Sequence, residues 1–292
     1  MSRVLVIGDV VDDIVVRPLD GVTPASDTTA TIRTFAGGSA ANTAAWMGWL
    51  GSGVTFVGRA GVGGAERHTA ALVAQRVDAR VSEEPSLPTA TIVVMVDRGG
   101  ERTMFVDRGA NASLTPAHVP ADVWDDAGWV HLTGYSFFCD NVRPLALAVL
   151  EEARRRGIGV SLDPSSVAFL RSCGLTSFLT WTEGVDVIFP NYDEGRELTG
   201  LQQPHEIVEA LGRRYGTVAL TLGGHGSLVR TAAGEMIASP AAPANLYDLT
   251  GAGDAYCAGF LAAWQAEMPW RECVRVATET SAMAVNRPGG RP

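Results

Sequence analysis

The feature that most constrains this chain is a series of short, continuously apolar runs, each stopped by a small or polar residue. Arg3–Ile7 ends at Gly8-Asp9, residues 158–162 end at Asp163-Pro164, and residues 185–189 end at Pro190-Asn191. A strand apolar at every position needs cover on both faces, which is the situation of a parallel sheet. Residues 55–58, 129–133 and 217–222 read as further strands of this kind. Helical patterns lie between them, at residues 37–51 (a glycine turn feeding a helix), 65–77, Arg143–Arg156, Pro204–Tyr215, 253–266 and Trp270–Val285. The alternation predicts an α/β fold with a doubly wound, mostly parallel sheet. With 292 residues, 46% of them hydrophobic, the chain can bury a large core as one large domain or two smaller ones.

Two segments break the pattern. Residues 89–97 and Arg102–Asp107 alternate apolar and polar positions around Asp97-Arg98-Gly99-Gly100, a hairpin signal. Together with the extended, Thr-rich residues 12–35 they predict a small β lid, residues 12–35 and 88–107. Residues 1–11, 36–87 and 108–292 then form the α/β core. Ser227-to-Thr231 and Met236-to-Ala238 read as a second hairpin.

Composition excludes several chemistries. All 23 basic residues are Arg, which removes lysine Schiff bases and a P-loop lysine. The net charge of −9 argues against a nucleic-acid partner. No stretch is apolar enough for a membrane span. The first strand lacks the Gly-x-Gly-x-x-Gly turn of a dinucleotide-binding oxidoreductase. Cys139, Cys173, Cys257 and Cys273 show no paired spacing. These features, with a first strand not preceded by a signal peptide, lead to the expectation of a cytoplasmic protein.

Two glycine motifs carry the chemistry. Asp248-Leu249-Thr250-Gly251-Ala252-Gly253-Asp254 opens an apolar helix. Its small residues let backbone N–H groups approach a ligand, and the helix dipole favours an anion there. Asp254, at the helix start, is expected to stay ionised and to suit the role of base for a hydroxyl attacking a phosphoryl group. The plain alternative is a turn with an Asp cap. Gly37-Gly38-Ser39-Ala40-Ala41-Asn42 is the second motif, where Asn42 offers a donor and an acceptor to a ligand hydroxyl.

The two motifs, in this order near the two ends of an α/β chain, resemble the paired signatures of the ribokinase-like (pfkB) carbohydrate kinases. The resemblance spans nearly the whole chain. It implies a Mg·ATP-dependent kinase acting on a hydroxymethyl group of a small sugar, or of a nucleoside, with a non-catalytic binding descendant of the fold as the further alternative. It implies Asp254 as base and Gly251, Ala252 and Gly253 as the anion hole. Asp13, Gly37, Gly38 and Asn42 fall on substrate-binding positions. Asn191-Tyr192-Asp193-Glu194 matches an Asn-x-x-Glu motif in which Glu194 organises Mg²⁺ through water. Asn191, Thr221, Gly223, Gly226 and Thr278 match the nucleotide side. Asp248, Thr250, Ala284, Arg287 and Gly289 match a monovalent-cation (K⁺) site. Relatives usually run a little past the position of Pro292, so one ligand of that site is expected to be missing. Related lids often pair between subunits, which implies a homodimer through the lid.

On substrate the residues point several ways. Ser39 and Val11 stand where ribokinases proper tend to have Lys and Asn, which lowers D-ribose, and the Gly37–Thr43 stretch looks more like nucleoside-kinase members. Arg108 is reminiscent of the carboxylate-binding Arg of acidic-sugar kinases; a surface Arg at a hairpin end is its plain reading. Phe105, Tyr135, Phe137 and Phe138 are candidates for stacking on a nucleobase, with core packing as their default.

Overall fold

A computed structural model describes residues 2–22, 24–97 and 102–292. Among these, thirteen strands and ten α-helices form two sheets and their cover. The strands are β1 (Arg3–Ile7), β2 (Val11–Pro18), β3 (Ala30–Gly37), β4 (Val54–Gly61), β5 (Asp78–Glu84), β6 (Thr91–Val96), β7 (Arg102–Asp107), β8 (Ala127–Thr133), β9 (Gly159–Asp163), β10 (Val187–Ile188), β11 (Thr217–Thr221), β12 (Ser227–Arg230) and β13 (Met236–Ser239). The helices are α1 (Ser39–Trp49), α2 (Gly64–Ala74), α3 (Tyr135–Phe138), α4 (Arg143–Arg156), α5 (Val167–Cys173), α6 (Leu175–Trp181), α7 (Tyr192–Thr199), α8 (Pro204–Tyr215), α9 (Ala252–Gln265) and α10 (Trp270–Val285).

The large sheet runs β13-β12-β11-β10-β9-β8-β1-β4-β5 and is parallel except for β12 and β13. The apolar runs have the expected cause. Val4 and Val6 of β1 pack into one buried cluster with Trp46, Phe56 and Phe260, while Leu5 and Ile7 pack into a second with Phe137 and Phe178 on the opposite face. Phe137 and Phe178 are wholly buried, so Phe137 is a core residue and not a stacking platform. The edge strand β5, Asp-Ala-Arg-Val-Ser-Glu-Glu, has one parallel neighbour and a polar sequence, and no apolar run marks it. The helix expected to reach residue 77 stops at Ala74, where Arg76 takes φ +66°.

The small sheet runs β3-β2-β6-β7, with antiparallel pairs at either side and one parallel pair, β2 with β6. Residues 98–100 of the expected hairpin turn lie outside the described residues. Register puts Phe35, Asp13, Ile92 and Val106 in one cross-strand row, with Val15, Val94 and Met104 in the next row on that face. The other face carries Ile14, Val16, Ile32, Val93, Met95 and Phe105.

No helix of the described residues is long and apolar enough to cross a membrane. The four cysteines are free thiols.

Candidate active site

The carboxyl ends of parallel strands are where open α/β sheets hold ligands, especially where the chain switches direction along the sheet. Here β1 lies between β8 and β4, and its end opens into a cleft of about 760 Å³. Gly8 and Asp9 after β1, Asp163 of β9, Asn191 after β10 and Thr221 of β11 line it from the core, and the first face of the small sheet covers it.

Two helix N-termini meet at its floor. At the start of α1, Gly38 takes φ +95°, a conformation L side chains rarely adopt. The cap comes from elsewhere: Asp9 accepts from the Ser39 N–H at 2.8 Å and the Ala40 N–H at 3.2 Å. At the start of α9, Gly251 takes φ +77°, and a Cβ there would sit 2.6 Å from Gly290. The Ala252 N–H donates to the Leu249 carbonyl at 3.3 Å. Of the three expected N–H donors, that of Ala252 is thus already engaged within the turn.

Asp254 lies in the first turn of α9, facing α1. Its Oδ1 accepts from Ser39 Oγ at 2.7 Å and its Oδ2 from Asn42 Nδ2 at 2.9 Å. Burial pushes its pKa up to about 7, against the lowering pull of Ser39, Asn42 and Arg291. The helix dipole favours its ionised form, and desolvation works against that pull. Asn42 lines the cleft and is already tied to the protein at both ends: its amide nitrogen donates to Asp254, its oxygen accepts from Arg291 Nε at 3.2 Å, and one N–H is left over.

Asp13 is different. It is buried, lines the cleft, and receives no hydrogen bond from any described residue. Burial raises its pKa to about 7, with Arg291 lowering it and Asp9, Asp254 and Asp12 raising it further. Such a carboxylate is ready to accept hydroxyls. Its neighbour Asp12 points to the other face of β2, where Arg67 grips it with two bonds of 2.6 and 2.8 Å and His68 Nε2 lies at 3.0 Å.

On the far side, Asn191 caps α7: its Oδ1 accepts from the Glu194 N–H and its own N–H donates to Glu194 Oε2, both at 2.9 Å. Glu194 is buried and pushed up to about 7 by that burial. Asp163 is raised well above the carboxylate range by burial, then by Glu194 and Asp254. Neither pairs with a basic residue among those described. Two such carboxylates are a hard-oxygen donor set suited to Mg²⁺.

The remaining expected residues divide. Gly223, Gly226 and Thr278 do not line the cleft; Thr278 Oγ1 donates to the Val274 carbonyl at 2.8 Å. Gly37 contributes a carbonyl to Arg291. In the expected cation site, hydrogen bonds link the residues of the loop. Asp248 accepts from Thr250 Oγ1 at 2.7 Å and the Gly289 N–H at 3.3 Å, and the Ala284 carbonyl accepts from the Arg287 N–H. The Arg287 guanidinium lies over the Trp46 ring. Arg108 lines the cleft with its guanidinium 5.0 Å from the Phe169 ring. Tyr135 and Phe169 line the cleft too; Phe105 faces away from it, and Phe138 stacks on Phe169 and Phe178.

Sequence reasoning gave no role to Asp9, Asp163, Phe169 or Arg291. The first two could have been found from their place at strand ends, the topological position for ligand groups.

Known proteins resemble this chain along its whole length. The chain is 30% identical over 301 aligned residues to an ATP-dependent ribose-1-phosphate kinase of Halopiger xanaduensis, spanning 100% of this chain and 94% of that protein. Its structure matches adenosine kinase from Sinorhizobium meliloti with a TM-score of 0.90 at 26% identity, covering 100% of this chain and 96% of that one. It matches Arabidopsis thaliana ribokinase complexed with ribose and ATP with a TM-score of 0.84 at 25% identity, covering 99% and 94%. The family model for pfkB family carbohydrate kinases matches residues 1–292. With both signature motifs folded onto one cleft, the chain belongs to the pfkB family of carbohydrate kinases.

Proposed function

We propose that the protein transfers the γ-phosphoryl group of ATP to a hydroxymethyl group of a small sugar or sugar-like substrate. The observation that carries this reading is the placement of Asp254, a buried carboxylate in the first turn of α9, in the same cleft as Asp13, whose carboxylate receives no hydrogen bond from the described residues. Asp13 accepts hydrogen bonds from substrate hydroxyls and sets the substrate's position. Asp254 takes the proton of the attacking hydroxyl, whose oxygen forms the new bond to the γ-phosphorus. The bond from that phosphorus to the bridging oxygen breaks, and ADP leaves with the electron pair. The α9 N-terminus, with the Gly253 N–H, balances the charge on the transferring group. Glu194 and Asp163 would hold Mg²⁺, which when bound neutralises phosphate charge. No step here uses a monovalent cation.

The small sheet acts as a lid whose closure excludes water and limits ATP hydrolysis. Its outward apolar face, with Ile32 and Phe105 exposed, pairs with a second copy to give a homodimer. A nucleoside is the second reading for the substrate. It is favoured by the wall of Val15, Phe35, Ile92, Val94, Met104 and Val106 facing Tyr135 and Phe169, more apolar surface than a free sugar needs. Arg108 leaves a guanidinium for an acidic group.

ADP release with Mg·ATP, measured across ribose, fructose, 2-keto-3-deoxygluconate, adenosine, cytidine and pseudouridine, tests the reading. One strong responder is expected. Silence across the panel despite ATP binding overturns the kinase reading for these classes.

A further inference from the structure

The segment after α10 returns to the start of α1 and sets a buried guanidinium beside it. The Gly289 N–H donates to Asp248, and Trp46 Nε1 donates to the Gly290 carbonyl at 2.9 Å. Arg291 follows. Its Nη2 donates to the Gly37 carbonyl at 2.6 Å and its Nε to Asn42 Oδ1 at 3.2 Å, while Nη1 is buried without an acceptor. Burial lowers the Arg291 pKa to about 10, although Asp13, Asp9, Asp12 and Asp254 all favour its charge. Among the described residues, none of those carboxylates is in ion-pair contact with it.

A buried charge held this way has a steep desolvation cost, so its bonds matter. A guanidinium only donates, whereas an Asn amide has one donating and one accepting end. Arg291 therefore takes the Asn42 oxygen, and the Asn42 nitrogen is left facing Asp254 Oδ2. The hydrogen bonds run in one direction, Arg291 to Asn42 to Asp254, and each polarises the next. The same guanidinium also grips the backbone at Gly37, one residue before the Gly38 turn.

We propose that Arg291 is a positioning residue for the phosphoryl transfer: it clamps the Asn42 amide and the Gly37 carbonyl, so that Asn42 stays a donor to Asp254, and its charge balances Asp254 and Asp13. The inference rests on the reading of Asp254 as base.

The test uses the full chain and the panel acceptor that gives the most ADP. Arg291→Ala lowers kcat by about 10- to 100-fold, the scale of a lost hydrogen bond to a charged group, with KM for ATP unchanged. Asn42→Ala causes a similar loss, and the double variant loses little more than either alone. Additive losses overturn the proposal. An activity-independent reading comes from ¹⁵N-labelled protein, in which the Asn42 side-chain NH₂ signals are identified by their loss in Asn42→Ala. In Arg291→Lys, which keeps the charge but cannot fork to both acceptors, those signals shift and exchange faster with water. Unchanged signals overturn the clamp. If Arg291→Ala does not fold, Arg291→Lys also carries the kinetic cycle. Full activity in Asp254→Asn sinks the base reading alone, because the Asn42 signals still decide whether Arg291 holds the amide.

Discussion

The two sheets of this molecule solve opposite problems. The large sheet has apolar cover on both faces, and its strand ends present Asp9, Asp163 and Asn191 to the cleft. The small sheet has only the cleft on one side, and on the other it leaves Ile32 63% and Phe105 57% exposed. The charged groups sit mainly where the fold is thickest, and most are fixed by partners: Asp9 caps α1, Glu194 locks into the Asn191 box, Asp254 is held by Ser39 and Asn42. Apart from Asp13, the small sheet lends the cleft mostly apolar side chains. Preorganised charge needs a rigid, water-poor scaffold, whereas a surface that selects and encloses a substrate can be thinner and more mobile. The comparison therefore predicts that core changes strike the chemical step and lid changes strike binding and assembly.

The largest effect belongs to the core. Asp254→Asn lowers kcat by about 10²-fold or more, the usual contribution of a general base. The fold should survive it. The Asp254 carboxyl is raised from 3.8 to about 7, so between those values the native state binds a proton that the unfolded chain releases. Its ionisation therefore costs stability as pH rises through that window, and the amide avoids the cost. Thermal melts should show Asp254→Asn gaining on the wild type from pH 4 to 7 and holding its lead above. Near-normal turnover in this variant breaks the comparison at its strongest point.

Gly251→Ala comes next. A left-handed φ of +77° costs a non-glycine residue about 1–3 kcal/mol, and the new Cβ meets Gly290 backbone at 2.6 Å. Both the melting temperature and kcat should fall, because the same turn aims the α9 N-terminus. A variant that loses stability but keeps kcat shows that the turn is structural only.

Much of this arrangement was legible in the residues, and what was not has a physical reason. The strands β1, β8, β9 and β11 announce themselves because two-sided burial demands unbroken apolar runs. The glycine turns before α1 and α9 show because few other residues tolerate their backbone. Strand β5 stayed hidden because an edge strand with one neighbour needs no apolar run. Asp9 and Arg291 act through partners 30 and 249 residues away, Ser39 and Asn42, and no local pattern encodes such a meeting. The upward pull of burial on Asp254 was not legible, because burial depends on tertiary packing, which one motif cannot report.

The pH profile sharpens the same contrast at intermediate size. Asp254 and Asp13 both lie at about 7, and the base must be ionised to accept a proton. kcat/KM should fall as pH drops below 7, by about tenfold per unit where one group governs and more steeply if both do. A flat profile between pH 5.5 and 8, with chemistry rate-limiting, removes Asp254 from the proton transfer.

The smallest expected effect on turnover lies on the outer lid face. Phe105→Glu places a charge in the row that Ile14 and Val93 share with it, on the side away from the cleft. Register puts its side chain opposite in direction to Met104 and Val106, so the substrate wall stays intact. A charge brought into an apolar contact without a partner is unfavourable by several kcal/mol, enough to dissociate a modest interface. Sedimentation at micromolar concentration should show the wild type as a dimer and Phe105→Glu as a monomer. Turnover at saturating substrate should hold, because Asp254 and both helix termini belong to the core of one subunit. The KM for the phosphoryl acceptor should rise by a few fold, since a lid held by a second copy closes with less loss of conformational freedom. A wild type that sediments as a monomer removes the partner from the argument, and the exposed Ile32 and Phe105 would then need another occupant. A variant that dissociates and also loses kcat shows that the division between chemistry in the core and enclosure in the lid is drawn too sharply.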